Sequence, residues 1–313
     1  MALYDPFPPG PFAAAPLARN ARDTARRRDF SVDVWLPAGV PGPLPLIVFS
    51  HAAAQGRKSA TFLCAHLASH GYAVAAMDHS ELVAPELARP ATETDDGRAR
   101  RWRAVIDSRV PDLRFLVDHL LGGASPVELD AKRVGAIGHS FGGWSVLAAT
   151  DADPRIRAAV AIAPAGASRP RPGILPATLA FAWGRDVPTL YLAAENDTST
   201  LLSGIVELFG RTPATRRMVV LRRADHLHFL DDVEEWHERF RTMPAPAEIS
   251  AIQKEMRPIG ELQSAEQAHL FARGLALAHF DAALRGHAGA EDFWKGDVRE
   301  SLASAGVDAF VHR

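Results

Sequence analysis

The chain has little of what would tie a protein to an oxidising compartment, a membrane or a nucleic acid. One cysteine, Cys64, stands among 313 residues, so neither a disulfide framework nor a cysteine metal cluster can be assembled. No apolar run approaches the length of a membrane span. Charge of neither sign is in excess: 35 basic residues face 37 acidic ones, a formal net charge of −2. That balance removes the electrostatic case for nucleic acid or an anionic membrane as partner. The stretch Met1 to Pro9 lacks the basic start and apolar core of a secretory signal, which makes a soluble, cytoplasmic chain the expectation. There is no internal repeat and no low-complexity block. What remains is an ordinary globular composition, 47% apolar and 23% charged, long enough to bury a full core as one α/β domain over residues 1–313.

Taken in order, residues 1–28 are rich in proline, alanine and arginine and read as an irregular lead-in, with Arg26-Arg27-Arg28 as solvated surface. Ser31 to Leu36 alternates as a half-buried strand does, and Leu44 to Ser50 is the continuous apolar run of a strand covered on both faces. A helix from about Ser59 to His70 stops at Gly71, and Tyr72 to Met77 is another buried strand. Residues 80–104 read as a surface excursion, followed by a helix from about Arg109 to Leu121 with Leu113, Leu116, Val117 and Leu120 on one stripe. Ala158–Ile162, Thr189–Ala193 and Arg217–Leu221 are three more short strands. Such alternation predicts a mainly parallel sheet between two layers of helix. The proline-rich segment 164–187 is open to three readings: a lid, a pocket wall or a plain connection. Residues 247–313 form a helical C-terminal segment packing back on the sheet. In it Ser264 and Gln267 have the spacing of a capping box, and a short tail runs to Arg313.

The chemistry centres on Gly138-His139-Ser140-Phe141-Gly142, between the β-prone run Arg133–Ile137 and a small-residue, apolar run that leaves as a helix. G-x-S-x-G between strand and helix is a sharp turn that lifts a serine hydroxyl above the sheet. Glycine flanks the serine where a side chain would strike the neighbouring strand and helix. The turn also aims the Phe141 backbone N–H at the place where negative charge would develop. A serine hydroxyl needs a base to take its proton and an acid to orient that base. Around this turn those partners follow in chain order, each after a later strand. Thr189–Ala193 leads to Glu195 and Asp197; Met218–Leu221 leads to Asp225-His226-Leu227-His228. His139, beside the serine, reads as a packing residue.

On these residues the chain resembles the α/β-hydrolase superfamily, within it the branch of dienelactone-hydrolase-like and platelet-activating-factor-acetylhydrolase-like esterases. The likeness runs from Val32-Asp33-Val34-Trp35-Leu36-Pro37 to the final helix and is most specific at Phe49-Ser50-His51, the Ser140 turn, Val187–Asp197 and Ala224-Asp225-His226. It implies an α/β-hydrolase fold with a mostly parallel sheet flanked on both faces. It also implies a serine carboxylic-ester hydrolase working through an acyl-enzyme on small or lipid-like esters. Ser140 is then the nucleophile, His226 the base ahead of His228, and Asp197 the acid ahead of Glu195. The oxyanion donors it implies are the N–H groups of Phe141 and Ala53. One departure stands out: Ala52 occupies a position where relatives carry glycine, and if φ were positive there, alanine would cost about 1 kcal/mol or more. Serine rather than cysteine at the turn argues against lactone specialisation. No metal and no organic cofactor is called for, and the partners are the ester and water.

Rival readings are a thioesterase, polyesterase or peptidase on the same fold, a non-catalytic binding protein of that fold, and a metal held by His226 and His228 with Asp225 or Asp231. The segment Arg98 to Arg103, with Trp102 inside it, reads as a solvated helix start or a contribution to the rim of the site. Oligomeric state is not legible.

Overall fold

In the computed structural model, residues 4–312 are described. Nine strands make one sheet in the order β1-β2-β4-β3-β5-β6-β7-β8-β9. The strands are β1 (Ala14–Asp23), β2 (Arg28–Pro37), β3 (Leu44–Ser50), β4 (Ala73–Met77), β5 (Leu129–His139), β6 (Ile156–Ile162), β7 (Thr189–Ala194), β8 (Arg216–Leu221) and β9 (Ala309–His312). From β4 through β8 every pairing is parallel, while β1, β2 and β9 join antiparallel at the two edges. The helices are α1 (Thr61–Ser69), α2 (Ser80–Val83), α3 (Asp95–His119), α4 (Phe141–Ala152), α5 (Leu202–Arg211), α6 (Val233–Thr242), α7 (Ala247–Glu255), α8 (Ala265–Arg285), α9 (Ala288–Lys295) and α10 (Val298–Ser304). Among the described residues no helix is long and apolar enough to cross a membrane.

The central strands are apolar throughout because both faces are covered. Leu46 and Val48 of β3 pack with Leu113, Leu116 and Val117 of α3 and Val146 of α4. Ile47 and Phe49, one residue out of phase, join the larger core with Leu63 and Leu67 of α1 and Phe280 of α8. Ser264 caps α8 as the spacing predicts: its hydroxyl accepts the Gln267 N–H, and the Gln267 side chain accepts the Ser264 N–H.

Four expectations need correction. The lead-in is not irregular over its length: residues 14–23 are β1, in register with β2 from Ala14–Pro37 to Asp23–Arg28. Most of its side chains are exposed, so it leaves no apolar pattern, and residues 1–3 lie outside the described residues. Arg26 and Arg28 are not a solvated run. Arg26 Nη1 meets the buried Asp112 carboxylate at 2.6 Å, and Arg28 pairs with Glu86 at 3.2 Å. The excursion at 80–104 holds α2 and the first turns of α3. That helix begins at Asp95, capped by the Thr94 hydroxyl, and carries Pro111 inside it. Its first half is charged because it faces outward, which hid it from a search for an apolar stripe. Finally, the tail ends in β9, which extends the sheet beside β8.

Candidate active site

β5 delivers Ser140 to the C-terminal edge of the sheet, and α4 starts at the next residue. Ser140 sits at φ 58°, ψ −117°, a conformation L-residues rarely adopt. The frame around it makes that conformation tolerable. Its N–H donates to the Ile162 carbonyl at 2.8 Å, and its own carbonyl accepts from Trp144 and Ala165 at 3.1 and 3.0 Å. Gly142 could be no other residue: a Cβ there would run into the Ser50 carbonyl oxygen and crowd that of His51.

The Ser140 hydroxyl donates to His226 Nε2 at 2.8 Å, and His226 Nδ1 donates to Asp197 Oδ2 at 2.7 Å. Asp197 is held by its own loop, an Asx-type turn. Oδ1 accepts the N–H groups of Ser199 and Thr200 at 2.8 and 2.7 Å, and Oδ2 faces the Thr200 hydroxyl at 2.8 Å. Glu195 points elsewhere, to the Arg223 N–H and Arg222. Burial alone would lower the His226 pKa, but the charge and hydrogen bond of Asp197 outweigh it, so the ring is held above the ordinary histidine value.

The His226 loop owes its shape to Asp225. The Asp225 carboxylate accepts the Leu227 N–H at 3.0 Å and lies 2.6 Å from Nε2 of His237 on α6, while the Asp225 N–H donates to His228 Nδ1 at 3.0 Å. Burial would raise the Asp225 pKa, yet its contacts with these two imidazoles hold it well below the carboxylate range. His228 is engaged with Asp225 and the Gln263 carbonyl, and Asp231 with Thr61 and Phe62, so neither faces the Ser140 hydroxyl. His139 packs its ring 4.8 Å from that of His226, and burial keeps it well below the ordinary pKa, hence neutral.

Phe141 is the first residue of α4, so its N–H has no acceptor within the helix. Ala53 follows β3 in a turn closed by the Gln55 N–H on the Ala52 carbonyl at 3.2 Å. The positive φ falls on Ala54, at 59°, and not on Ala52, so alanine at 52 carries no left-handed backbone strain.

Two clefts approach this constellation, and neither includes Ser140 in its lining. One, of about 300 Å³ and largely apolar, reaches it at Thr200 and is walled by Pro164, Gly166, Ile174 and Leu201. The other, of about 480 Å³, reaches it at Ala53 and is lined by Arg98, Arg101, Trp102, Leu175 and Ile249. The basic segment of α3 is thus both a helix start and a rim. Residues 171–175 contribute to both clefts and divide them. Segment 164–187, without helix or strand, is tied down at several points. Arg171 binds Glu255 bidentately at 2.6 and 2.7 Å and the Thr198 carbonyl at 2.9 Å. Ser168 is held by Glu207, and the Trp144 indole donates to the Thr178 carbonyl at 2.8 Å.

The sequence reading missed Thr200 and the buried polar groups behind Ala53. For Thr200 the signal was present, a polar Asp-Thr-Ser-Thr turn after a buried strand.

Residues 31–231 match the PET hydrolase-like family. The platelet-activating factor acetylhydrolase of Cavia porcellus is 27% identical over 246 residues, 63% of this chain and 52% of that protein. Cutinase est1 of Thermobifida alba is 26% identical over 180 residues, 56% of this chain and 51% of that protein. The chain spans about half the length of these curated relatives. Among solved structures, a ferulic acid esterase from Streptomyces cinnamoneus superposes with a TM-score of 0.61 at 26% identity, covering 88% of this chain and 91% of that one. The fold is that of the α/β-hydrolases.

Proposed function

Since the chain belongs to the PET hydrolase-like family, we propose that it is a serine carboxylic-ester hydrolase acting through Ser140, His226 and Asp197. The observation that carries the reading is the unbroken contact chain from hydroxyl to imidazole to carboxylate, with links of 2.8 and 2.7 Å. Ser140 attacks the ester carbonyl as His226 Nε2 takes its proton, and Asp197 stabilises the imidazolium that forms. The carbonyl oxygen, now negative, is received by the Phe141 and Ala53 N–H groups. His226 passes its proton to the leaving alcohol, and water activated by the same ring cleaves the acyl-enzyme.

The substrates proposed are small or lipid-like esters, with the largely apolar cleft at Thr200 able to take an alkyl or aryl group. The family match and the cutinase relative favour a second reading, a polyester as substrate. A panel of p-nitrophenyl esters of rising acyl length, a thioester, a peptide and a polyester film separates these. Under the first reading, turnover is confined to soluble esters. In each case Ser140→Ala abolishes it; hydrolysis of p-nitrophenyl acetate by Ser140→Ala at the wild-type rate would falsify the proposal. Absence of fluorophosphonate labelling at Ser140 would favour a non-catalytic binding protein.

A further inference from the structure

Behind Ala53 lies a buried polar network that the reaction scheme does not use. Its centre is Arg109 of α3, fully buried though charged. The guanidinium is engaged on every side. Nε and Nη2 grip the Glu81 carboxylate of α2. Nη1 donates to the His51 carbonyl at 2.8 Å and lies 3.3 Å from the Ser50 hydroxyl. Its flat face sits 4.4 Å from the ring centre of Phe141. Around it, the Ser50 hydroxyl pairs with His79 Nε2 at 2.8 Å, and His79 Nδ1 faces Asp112 at 3.2 Å. Asp112 in turn accepts the Ser80 N–H and hydroxyl at 2.7 and 2.6 Å. The His79 N–H donates to His51 Nε2 at 3.1 Å. This leaves the other ring nitrogen of His51 as the donor to the Ala52 carbonyl, at 2.7 Å.

Ser50-His79-Asp112 repeats the order of contacts seen at Ser140, but all three side chains are fully enclosed and line neither cleft, so they have no route to substrate. Their geometry suits a different task. His51 precedes Ala53 by two residues, and Phe141 is the first residue of the helix that Ser140 opens. Arg109 therefore touches both segments that carry an oxyanion donor, beyond the point where their strands β3 and β5 stop pairing at Ser50 and Gly138 and beside the close backbone approach at Gly142.

We propose that Arg109 is a positioning residue that holds the Ala53 loop and the Phe141 turn in register, so that their two N–H groups converge on one oxygen. The inference rests on the esterase reading above. Only arginine meets the geometry. A planar fork can bind a carboxylate on one edge, a carbonyl on the other and an aromatic ring on its face, whereas an ammonium is a point donor. Misplacement of a catalytic group by about 1 Å can cost on the order of a hundredfold in rate.

The test compares wild type, Arg109→Lys and Arg109→Gln, with active sites titrated by a fluorophosphonate so that misfolded protein is not counted. For Arg109→Lys, kcat per titrated site is expected to fall by about 10- to 100-fold, with KM changed by less than about threefold. Affinity for a trifluoromethyl ketone, whose adduct with Ser140 places an oxyanion in the hole, falls in parallel. Affinity for the matching methyl ketone and the acid limb of the pH profile stay as in wild type. If Arg109→Lys lowers only the melting temperature or the titratable fraction, with kcat per site within about twofold of wild type, the residue is merely structural and the inference is overturned. Wild type without ester turnover would sink the functional reading and this inference together, a result seen before any variant is compared.

Discussion

Ser140 is held in a backbone conformation that few serines adopt, and in the proposed reaction its proton goes to a single neighbouring imidazole. His226 must be neutral to take a proton, so activity falls as pH drops through its pKa. Because Asp197 holds that value above the ordinary 6.5 of histidine despite burial, the acid limb of kcat/KM against pH is expected to bend above 6.5. A profile flat down to pH 5 would contradict the assignment. Asp197→Asn keeps the shape of the turn but removes the charge. It is expected to reduce kcat by about 10³-fold or more and to lower the pH at which the acid limb bends. Thr200→Val tests the missed residue: it leaves Asp197 Oδ2 with one donor fewer, and a drop in kcat of about tenfold with unchanged KM is the expected reading.

At the scale of elements, the site is a meeting of loops whose backbones are fixed by buried polar groups rather than by helix or strand. Asp225 shows this most plainly. Its carboxylate accepts from Leu227 and sits against His228 and His237, so one side chain fastens the His226 turn to α6. Asp225→Ala leaves two buried imidazoles without their partner, and the expected cost is about 3 kcal/mol of stability, read as a lowered denaturant midpoint. The pH dependence follows from two opposite shifts. Asp225 is depressed below its ordinary 3.8, so its contribution is present above about 4 and is lost as pH falls through the folded value. Burial would lower the His237 pKa, but Asp225 raises it above 6.5. Its share is therefore complete below 6.5 and is lost as pH rises through the folded value. The pair is strongest between those limits. In that window the stability difference between wild type and Asp225→Ala is expected to be largest; a constant difference from pH 3 to 9 would exclude the pairing.

Across the whole molecule, both ends of the described chain are tied to the sheet layers. The Tyr4 hydroxyl donates to Asp281 of α8 at 2.9 Å, the Tyr72 hydroxyl to the same carboxylate at 2.8 Å, and Arg285 pairs with it. At the other end β9 closes the edge beside β8. Asp281→Ala is expected to cost about 2–4 kcal/mol, since it strands two hydroxyls and a guanidinium at a largely buried point. Turnover per titrated active site should stay at the wild-type value. A loss of kcat per site there would mean that the packing of α8 reaches the chemistry.

What was legible in the sequence is what local pattern encodes. The buried strands β3 to β8 announced themselves as apolar runs because both their faces are covered, and the Ser140 turn did so because strand, glycines and small-residue helix are contiguous. The Ser264–Gln267 cap is a four-residue device, and it too was readable. By contrast β1 and the first half of α3 carry exposed, charged faces, so burial left no periodic mark on them; they exist through pairing and packing with partners distant in the chain. The same reason governs the site. Chain order could bring Asp197 and Glu195, or His226 and His228, to the right neighbourhood, but not choose between them. That choice depends on which side chains the loops turn inward, and those loops are turned by Thr200 and Asp225. Residues brought together only by folding made that decision, because a hydrogen bond between groups tens of residues apart has no spacing for a sequence to display.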